Sequence, residues 1–219
     1  NVTPKGIPAW MMWNCIEVDP FKKGSAYITG TRYKLDDFAP YLYKTEDYGK
    51  SWKKITNGIP ATHFTRVLRA DKIRKGLLYC GTEYGMYVSY DDGANWKSFQ
   101  LNMPEVPITD LAIKNNDLIV ATQGRSLYIL DDLGVLQQKN SNLVSKNLHV
   151  FDVNPAYRMP GGGRRRGGGG NTAAMVANAG TNPSNGVVFN YFVKNASDST
   201  KLSIEIMDKQ GKKFYTFST

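Results

Sequence analysis

Cysteine and histidine are nearly absent from the 219 residues: Cys15 and Cys80 are the only thiols, His63 and His149 the only imidazoles. The cysteines fall in apolar stretches far apart in sequence, without the close paired spacing of a disulfide framework, so both read as buried free thiols. Two histidines with no cysteine pair beside them offer no zinc spacing. No metal and no cofactor are therefore expected. Long apolar runs are lacking as well. None approaches the ~18 residues of a membrane-crossing helix, and no transmembrane segment is expected. The sequence has neither an initiator Met nor a signal peptide, and it starts and stops inside patterned sequence, which reads as a piece of a longer protein.

Acidic residues are also short, 19 against 28 Lys and Arg, for a net charge of +9. Such an excess ordinarily raises nucleic acid as a partner. Its placement argues against that: residues 1–153 carry 19 basic and 16 acidic side chains, whereas 154–180 carry four arginines and no acid. The largest share of the excess thus sits in 154–180, around the tract 161–170, seven glycines and three arginines with no apolar residue, a linker by composition.

What the sequence has in quantity is repetition. Thr45-Glu46-Asp47-Tyr48-Gly49-Lys50-Ser51-Trp52 recurs as Ser89-Tyr90-Asp91-Asp92-Gly93-Ala94-Asn95-Trp96, 44 positions later. A period of that size marks repeated supersecondary units. The residue types suit a tight turn between strands: Thr45 or Ser89 opens it, the Asp47 or Asp91 carboxylate accepts nearby amides, and Gly49 or Gly93 supplies positive φ. Trp52 or Trp96 then folds over the turn. A decayed third copy follows, in which Asp131-Asp132 stands 9 residues after Ala121-Thr122, as Asp91-Asp92 follows Gly81-Thr82; it lacks the Gly and the Trp. The first copy carries seven extra residues between Gly30-Thr31 and Asp47, placed within 32–41.

Short alternating runs surround each copy. Strands are expected at 13–19, 26–31, 41–45 and 51–55, then at 65–70, 77–82, 86–90 and 95–101, then at 109–114, 117–122 and 126–131. Four strands per repeat of about 40 to 50 residues is propeller arithmetic. The third repeat lacks its fourth strand, and three repeats cannot close a ring of about 4 to 8. The remaining blades are therefore expected upstream or on another chain. After the linker, 187–194, 202–206 and 212–217 read as the first strands of a sandwich, which needs about seven.

The eight-residue motif resembles the Asp box of BNR-repeat β-propellers, found in sialidases, secreted propeller glycosidases and the sortilin ectodomain. The stretches 33–41, 81–87 and 121–132 are similar to the last blades of bacterial sortilin-like proteins of this type, many of them labelled glycosyl hydrolase. The resemblance implies that Thr45, Asp47, Gly49, Trp52, Ser89, Asp91, Gly93, Trp96 and Asp131 hold the fold and take no part in chemistry. It implies a secreted or cell-envelope location, and an immunoglobulin-like character for the trailing sandwich. Where relatives have His-Gly-Arg-Gly, this chain has Gln123-Gly124-Arg125-Ser126, so no role of that His carries over.

The fold class expected is thus all-β: a partial propeller over 1–153, a Gly/Arg-rich linker over 154–183, and the start of a β-sandwich over 184–219. Turns between second and third strands of every blade open on one rim with the crossings between blades. Arg32, Asp36, Asp37, His63, Glu83, Tyr84, Gln123 and Arg125 are the ligand-binding candidates collected there. Each also has a structural reading, such as Glu83 pairing with Arg125 between blades, or Asp36 and Asp37 capping their own turn. Arg66 and Arg69 lie on an innermost-strand pattern, either facing a channel or simply solvated. A module that binds a peptide, a protein or a glycan needs only these loops. A glycosidase needs two carboxylates, about 5 to 5.5 Å apart for retention or 6.5 to 9.5 Å for inversion, and would draw most of them from upstream. A structural subunit of an envelope assembly is the third reading.

Overall fold

The computed structural model describes residues 2–156, 186–197 and 200–218. The glycine/arginine tract and most of the expected linker lie outside them. The described chain forms two compact units that divide after Gln138, earlier than the boundary at 153 suggested by the repeats.

The first unit holds three antiparallel sheets, each a simple up-and-down run. β1 (Met12–Val18), β2 (Ala26–Arg32), β3 (Asp37–Thr45) and β4 (Lys53–Lys54) form the first in chain order. β5 (Thr65–Ala70), β6 (Leu78–Thr82), β7 (Gly85–Ser89) and β8 (Lys97–Ser98) repeat it. β9 (Ile108–Lys114), β10 (Asp117–Thr122) and β11 (Leu127–Leu130) make a third sheet of three strands. The inserted residues of the first repeat form a 3-10 turn, Tyr33–Leu35, closed by Asp36 at φ 55°, and lengthen β3 to nine residues.

Alternation sends side chains to both faces of each sheet. Between the first and second sheets, Tyr27 and Leu42 meet Leu68, Leu78 and Cys80, with Trp96 and Ile55 at the margin. Between the second and third, Val67, Tyr79 and Met86 meet Ile108, Leu111 and Leu118. Each fully buried Leu or Ile contributes about 1.5 to 3 kcal/mol of transfer free energy, so the layers hold one another. Thr65 pins the β2–β3 end, its hydroxyl donating to Tyr41 O at 2.9 Å and accepting the Tyr41 amide at 3.3 Å. At the opposite end the Tyr27 hydroxyl donates to Asp92, which also takes Lys44 Nζ at 2.5 Å.

The two boxes are built bond for bond alike. The Thr45 hydroxyl donates to Asp47 Oδ1 and accepts the Gly49 amide, both at 2.9 Å; the Ser51 amide donates to Asp47 Oδ1 at 2.9 Å. In the second box the Ser89 hydroxyl donates to Asp91 at 2.8 Å and accepts the Gly93 amide at 2.9 Å, while the Asn95 amide and side chain each donate to Asp91 at 2.8 Å. Among the described residues the third copy does not make the box bonds, and Asp132 serves a different turn. Asp132 Oδ1 accepts the Gly134 amide at 2.9 Å and starts the helix α1 (Gly134–Gln138), while Asp131 is exposed. With Leu133 in place of Gly the chain inserts that side chain into the core, and among the described residues no fourth strand joins this sheet.

Bonding holds the box carboxyls in their charged form. The Ser51 hydroxyl, with the Ser51 amide, lowers Asp47 to about 2. Burial pushes Asp91 up, but the Asn95 side chain and amide outweigh it and the net direction is down. Groups lowered in the folded state contribute stability above the ordinary carboxylate range near 4, and lose it as pH falls through the folded value. The melting temperature is therefore expected to hold from neutral pH to about 4.5 and to drop between about 4 and 2. Glu46, also lowered to about 2 by Lys22 and Lys44, titrates in the same window. Asp47→Asn with Asp91→Asn should thus make the drop shallower without abolishing it; a drop parallel to that of the parent would refute the assignment.

The second unit has two ribbons. β12 (Leu148–Val150) pairs with β13 (Tyr191–Val193), and β14 (Ser203–Met207) with β15 (Lys213–Ser218). Strand β12 thus joins a partner across the linker expected from composition. An apolar cleft of about 410 Å3 lies between the ribbons, with Leu148, Tyr191, Ile204 and Phe217 among its walls. Among the described residues no helix is long and apolar enough to cross a membrane.

Candidate functional site

The β2–β3 and β6–β7 turns open at one end of the first unit, and the crossing between the two sheets runs beside them. Arg32 Nη1 donates to Asp37 Oδ2 at 2.6 Å, where the Tyr41 hydroxyl also donates at 2.7 Å; the Ala39 amide reaches Oδ1 at 3.2 Å. Burial pushes the Asp37 carboxyl up, but Tyr41, Ala39 and Arg32 together bring it below its ordinary value. Asp36 is exposed and closes the 3-10 turn, its amide donating to Tyr33 O at 3.2 Å.

A bulge between Thr65 and Val67 sets Arg66 aside from the ladder. Thr65 pairs with Thr82, so the side chain set aside at 66 reaches residue 83: Arg66 Nε and Nη2 both meet Glu83 Oε2, at 2.7 and 2.5 Å. Glu83 is therefore held within its own sheet. The alternative pairing with Arg125 does not occur, because adjacency along β5 and β6 supplies a nearer cation. The Arg66 guanidinium also stands 5.3 Å over the Phe64 ring. Phe64 stacks on Tyr33 at 5.2 Å and 11°, with Phe38 tilted against it at 6.2 Å.

Next to this group, His63 Nδ1 is 2.7 Å from the Tyr87 hydroxyl, and its ring lies 4.7 Å from that of Tyr84. Phe38 and Tyr84 keep 44% and 46% of their surface exposed. Arg32 with Asp37, Glu83 with Arg66 and Phe64, and His63 with Tyr84 thus make an array of three contacting groups on two sheets, while Asp36 adds only a backbone bond to it. Gln123 and Arg125 sit on the turn of the third. The Gln123 amide donates to Pro107 O at 2.9 Å, and Arg125 is exposed. Among the described residues neither is hydrogen-bonded or ion-paired to the array.

Sequence reading missed Tyr33, Phe38, Phe64 and Tyr87. A usable signal existed: Phe64 directly precedes β5, and Tyr33 directly follows β2, so each ring sits at a strand end on the turn side. Arg69 is also placed differently from a free channel residue. Its Nη2 donates to Asp110 at 2.8 Å, Nη1 lies 3.8 Å from Glu17, and Cys15 Sγ is 3.0 Å from Nη1. Arg69 therefore ties together the first strands of all three sheets. Cys15 is half-buried, whereas Cys80 is buried and its thiol pushed up by that burial.

A glycosidase needs a carboxylic acid kept protonated near neutral pH, whereas the Asp37 carboxyl is held below its ordinary value. Exposed ring faces beside ion pairs that are already made provide apolar contact with little ordering cost.

A scan against protein-family models and a search of the curated proteins give no match. Among solved structures the chain is similar to a GH74 enzyme of Niastella koreensis, at 14% identity and TM-score 0.44 over 55% of this chain and 21% of that one. It is also similar to YCF48 bound to D1 peptide, at 19% identity and TM-score 0.40 over 55% of this chain and 37% of the other. A GH74 xyloglucanase from Xanthomonas campestris is similar at 16% identity and TM-score 0.38, over 64% and 25%. The matches span well under half the length of each of these neighbours.

Proposed function

We propose that the chain supplies blades of a secreted or cell-envelope β-propeller, followed by the start of an immunoglobulin-like sandwich, and that the rim across its first two sheets binds a glycan or peptide. The observation that carries this reading is the array around Phe64 and His63: two half-exposed rings, Phe38 and Tyr84, flanked by the pairs Arg32–Asp37 and Arg66–Glu83. The repeated four-stranded sheets and the identical boxes support the propeller. Arg125 and Gln123 extend the rim at the third sheet.

The test is capture on arrays of plant-type and bacterial glycans and of extended peptides, alongside an assay for release of reducing sugar. Phe38→Ala and Tyr84→Ala should each weaken capture by more than about 1 kcal/mol. Unchanged capture in both variants would sink the rim assignment. Sugar release that is lost in Asp37→Asn or Glu83→Gln while capture survives would favour the hydrolase reading.

A further inference from the structure

The outer face of the first sheet repeats, position for position, a face that is covered in the second. In the first sheet Ile16 pairs with Ile28, and Ile28 with Tyr43. In the second Leu68 pairs with Cys80, and Cys80 with Tyr87. Counted back from the boxes, where Thr45 matches Ser89, Ile16, Ile28 and Tyr43 stand where Leu68, Cys80 and Tyr87 stand. The burial differs sharply. On the first strand, Leu68 and Ala70 are 0% and 4% exposed beneath the first sheet, whereas Ile16 and Val18 in the same places are 74% and 71% exposed; Ile28 and Tyr43 are buried, with Ile7, Met11 and Trp13 packed against them. Ile16, Val18 and Ile28, with Trp13 and Trp52, line an apolar groove of about 490 Å3.

A second correspondence says what belongs in that groove. Ile55 is the residue that leaves the first sheet after β4, its amide donating to Leu42 O at 2.9 Å. Its own carbonyl accepts Trp96 Nε1 at 2.8 Å, and a Cβ on Gly93 would lie 2.6 Å from Ile55 Cδ1. Val2 makes the same two contacts with the first box. Its carbonyl accepts Trp52 Nε1 at 2.7 Å, and a Cβ on Gly49 would lie 2.8 Å from Val2 Cβ. The residues that follow agree. Gly58-Ile59-Pro60 and Gly6-Ile7-Pro8 each begin on a positive-φ glycine, at 95° and 73°. Ile59 packs into the core between the first and second sheets, and Ile7 into the cluster on the outer face of the first.

We infer that the groove around Ile16, Val18, Ile28 and Trp52 seats a further four-stranded antiparallel sheet of the same repeat, whose fourth strand runs directly into Val2. This goes beyond the rim reading, because it concerns a different face and stands whether or not the rim binds a ligand. Val2 is to the first box what the residue after a fourth strand is to the second, so the covering sheet is joined to the chain at that point. It presents an apolar face, as Tyr27 and Leu42 do to Leu68 and Leu78. A second copy docked face to face would cover Ile16 but would not explain why Val2 occupies the place of Ile55.

Hydroxyl-radical footprinting read by mass spectrometry tests this. In the 219-residue chain Trp13, Ile16 and Val18 should oxidise readily. In the chain lengthened at its amino end by the segment that its reading frame encodes there, they should oxidise at least tenfold more slowly, at rates independent of protein concentration. Ile16→Lys in the lengthened chain should return Val18 and Trp13 towards the faster rate, with Phe38 and Tyr84 on the rim unchanged. Equal oxidation in the two parent chains overturns the inference, and so does protection of the 219-residue chain that grows with concentration, which would make a second copy the occupant. The comparison of parent chains decides even if Ile16→Lys fails to fold.

Discussion

Trp96→Ala is expected to lower the free energy of unfolding by about 3 to 5 kcal/mol, the range for deleting a large buried aromatic side chain. Trp96 is only 3% exposed, packs with Ile55, Ile59 and Leu68, and donates its indole N–H to Ile55 O at 2.8 Å. Truncation would open a cavity between the first two sheets and leave a carbonyl without its donor. Trp52→Ala should cost clearly less, because Trp52 is half-buried on the outer face of the first sheet. The repeated motif alone gives the two tryptophans equal weight; their different neighbours separate them. Urea unfolding of both variants measures the difference. Equal losses, or none, would contradict the packing described for the second box.

The repeats were legible because their signal is local. Asp47 and Asp91 bond only within their own turns, so eight residues carry all the information needed to place them. The strands around them follow from alternation and fall within a few residues of β1 to β11. The second unit was harder. β12 pairs with β13 across more than 40 residues, and three residues of Leu-His-Val carry no periodicity that could announce it. The division after Gln138 was hidden for the same reason.

At the rim, sequence could say which loops converge but not which charges would already be spent. Glu83 looked available until the bulge at Arg66 put a guanidinium beside it, and a bulge has no signature among Thr, Arg and Val. Asp37 likewise sits five residues from Arg32 and four from Tyr41, partners that only the 3-10 turn brings within reach. Asp37 and Glu83 are thus engaged by arginines, while Asp36 stays exposed on the same turn as the Tyr33 ring.

Gly58→Ala is the other substitution expected to act strongly, and Gly6→Ala is its control. Gly58 lies in the crossing from the first sheet to the second, at φ 95°, where a Cβ would come within 2.2 Å of Trp96 O. The crossing cannot move aside easily, since Trp96 N–H donates to Asn57 O at 2.8 Å and Asn57 Nδ2 to Asn95 Oδ1 at 2.7 Å. A side chain there meets both left-handed strain of about 1 to 2 kcal/mol and a steric clash of about 1 to 3, or roughly 2 to 5 together. Gly6 has φ 73° but open space within 4 Å, so its alanine pays the strain alone. The paired measurement therefore isolates the clamp between crossing and box. Chemical denaturation should show Gly58→Ala more destabilising than Gly6→Ala by at least about 1 kcal/mol; equal effects would mean that the crossing gives way, and that Asn57 does not hold the first sheet to the second box.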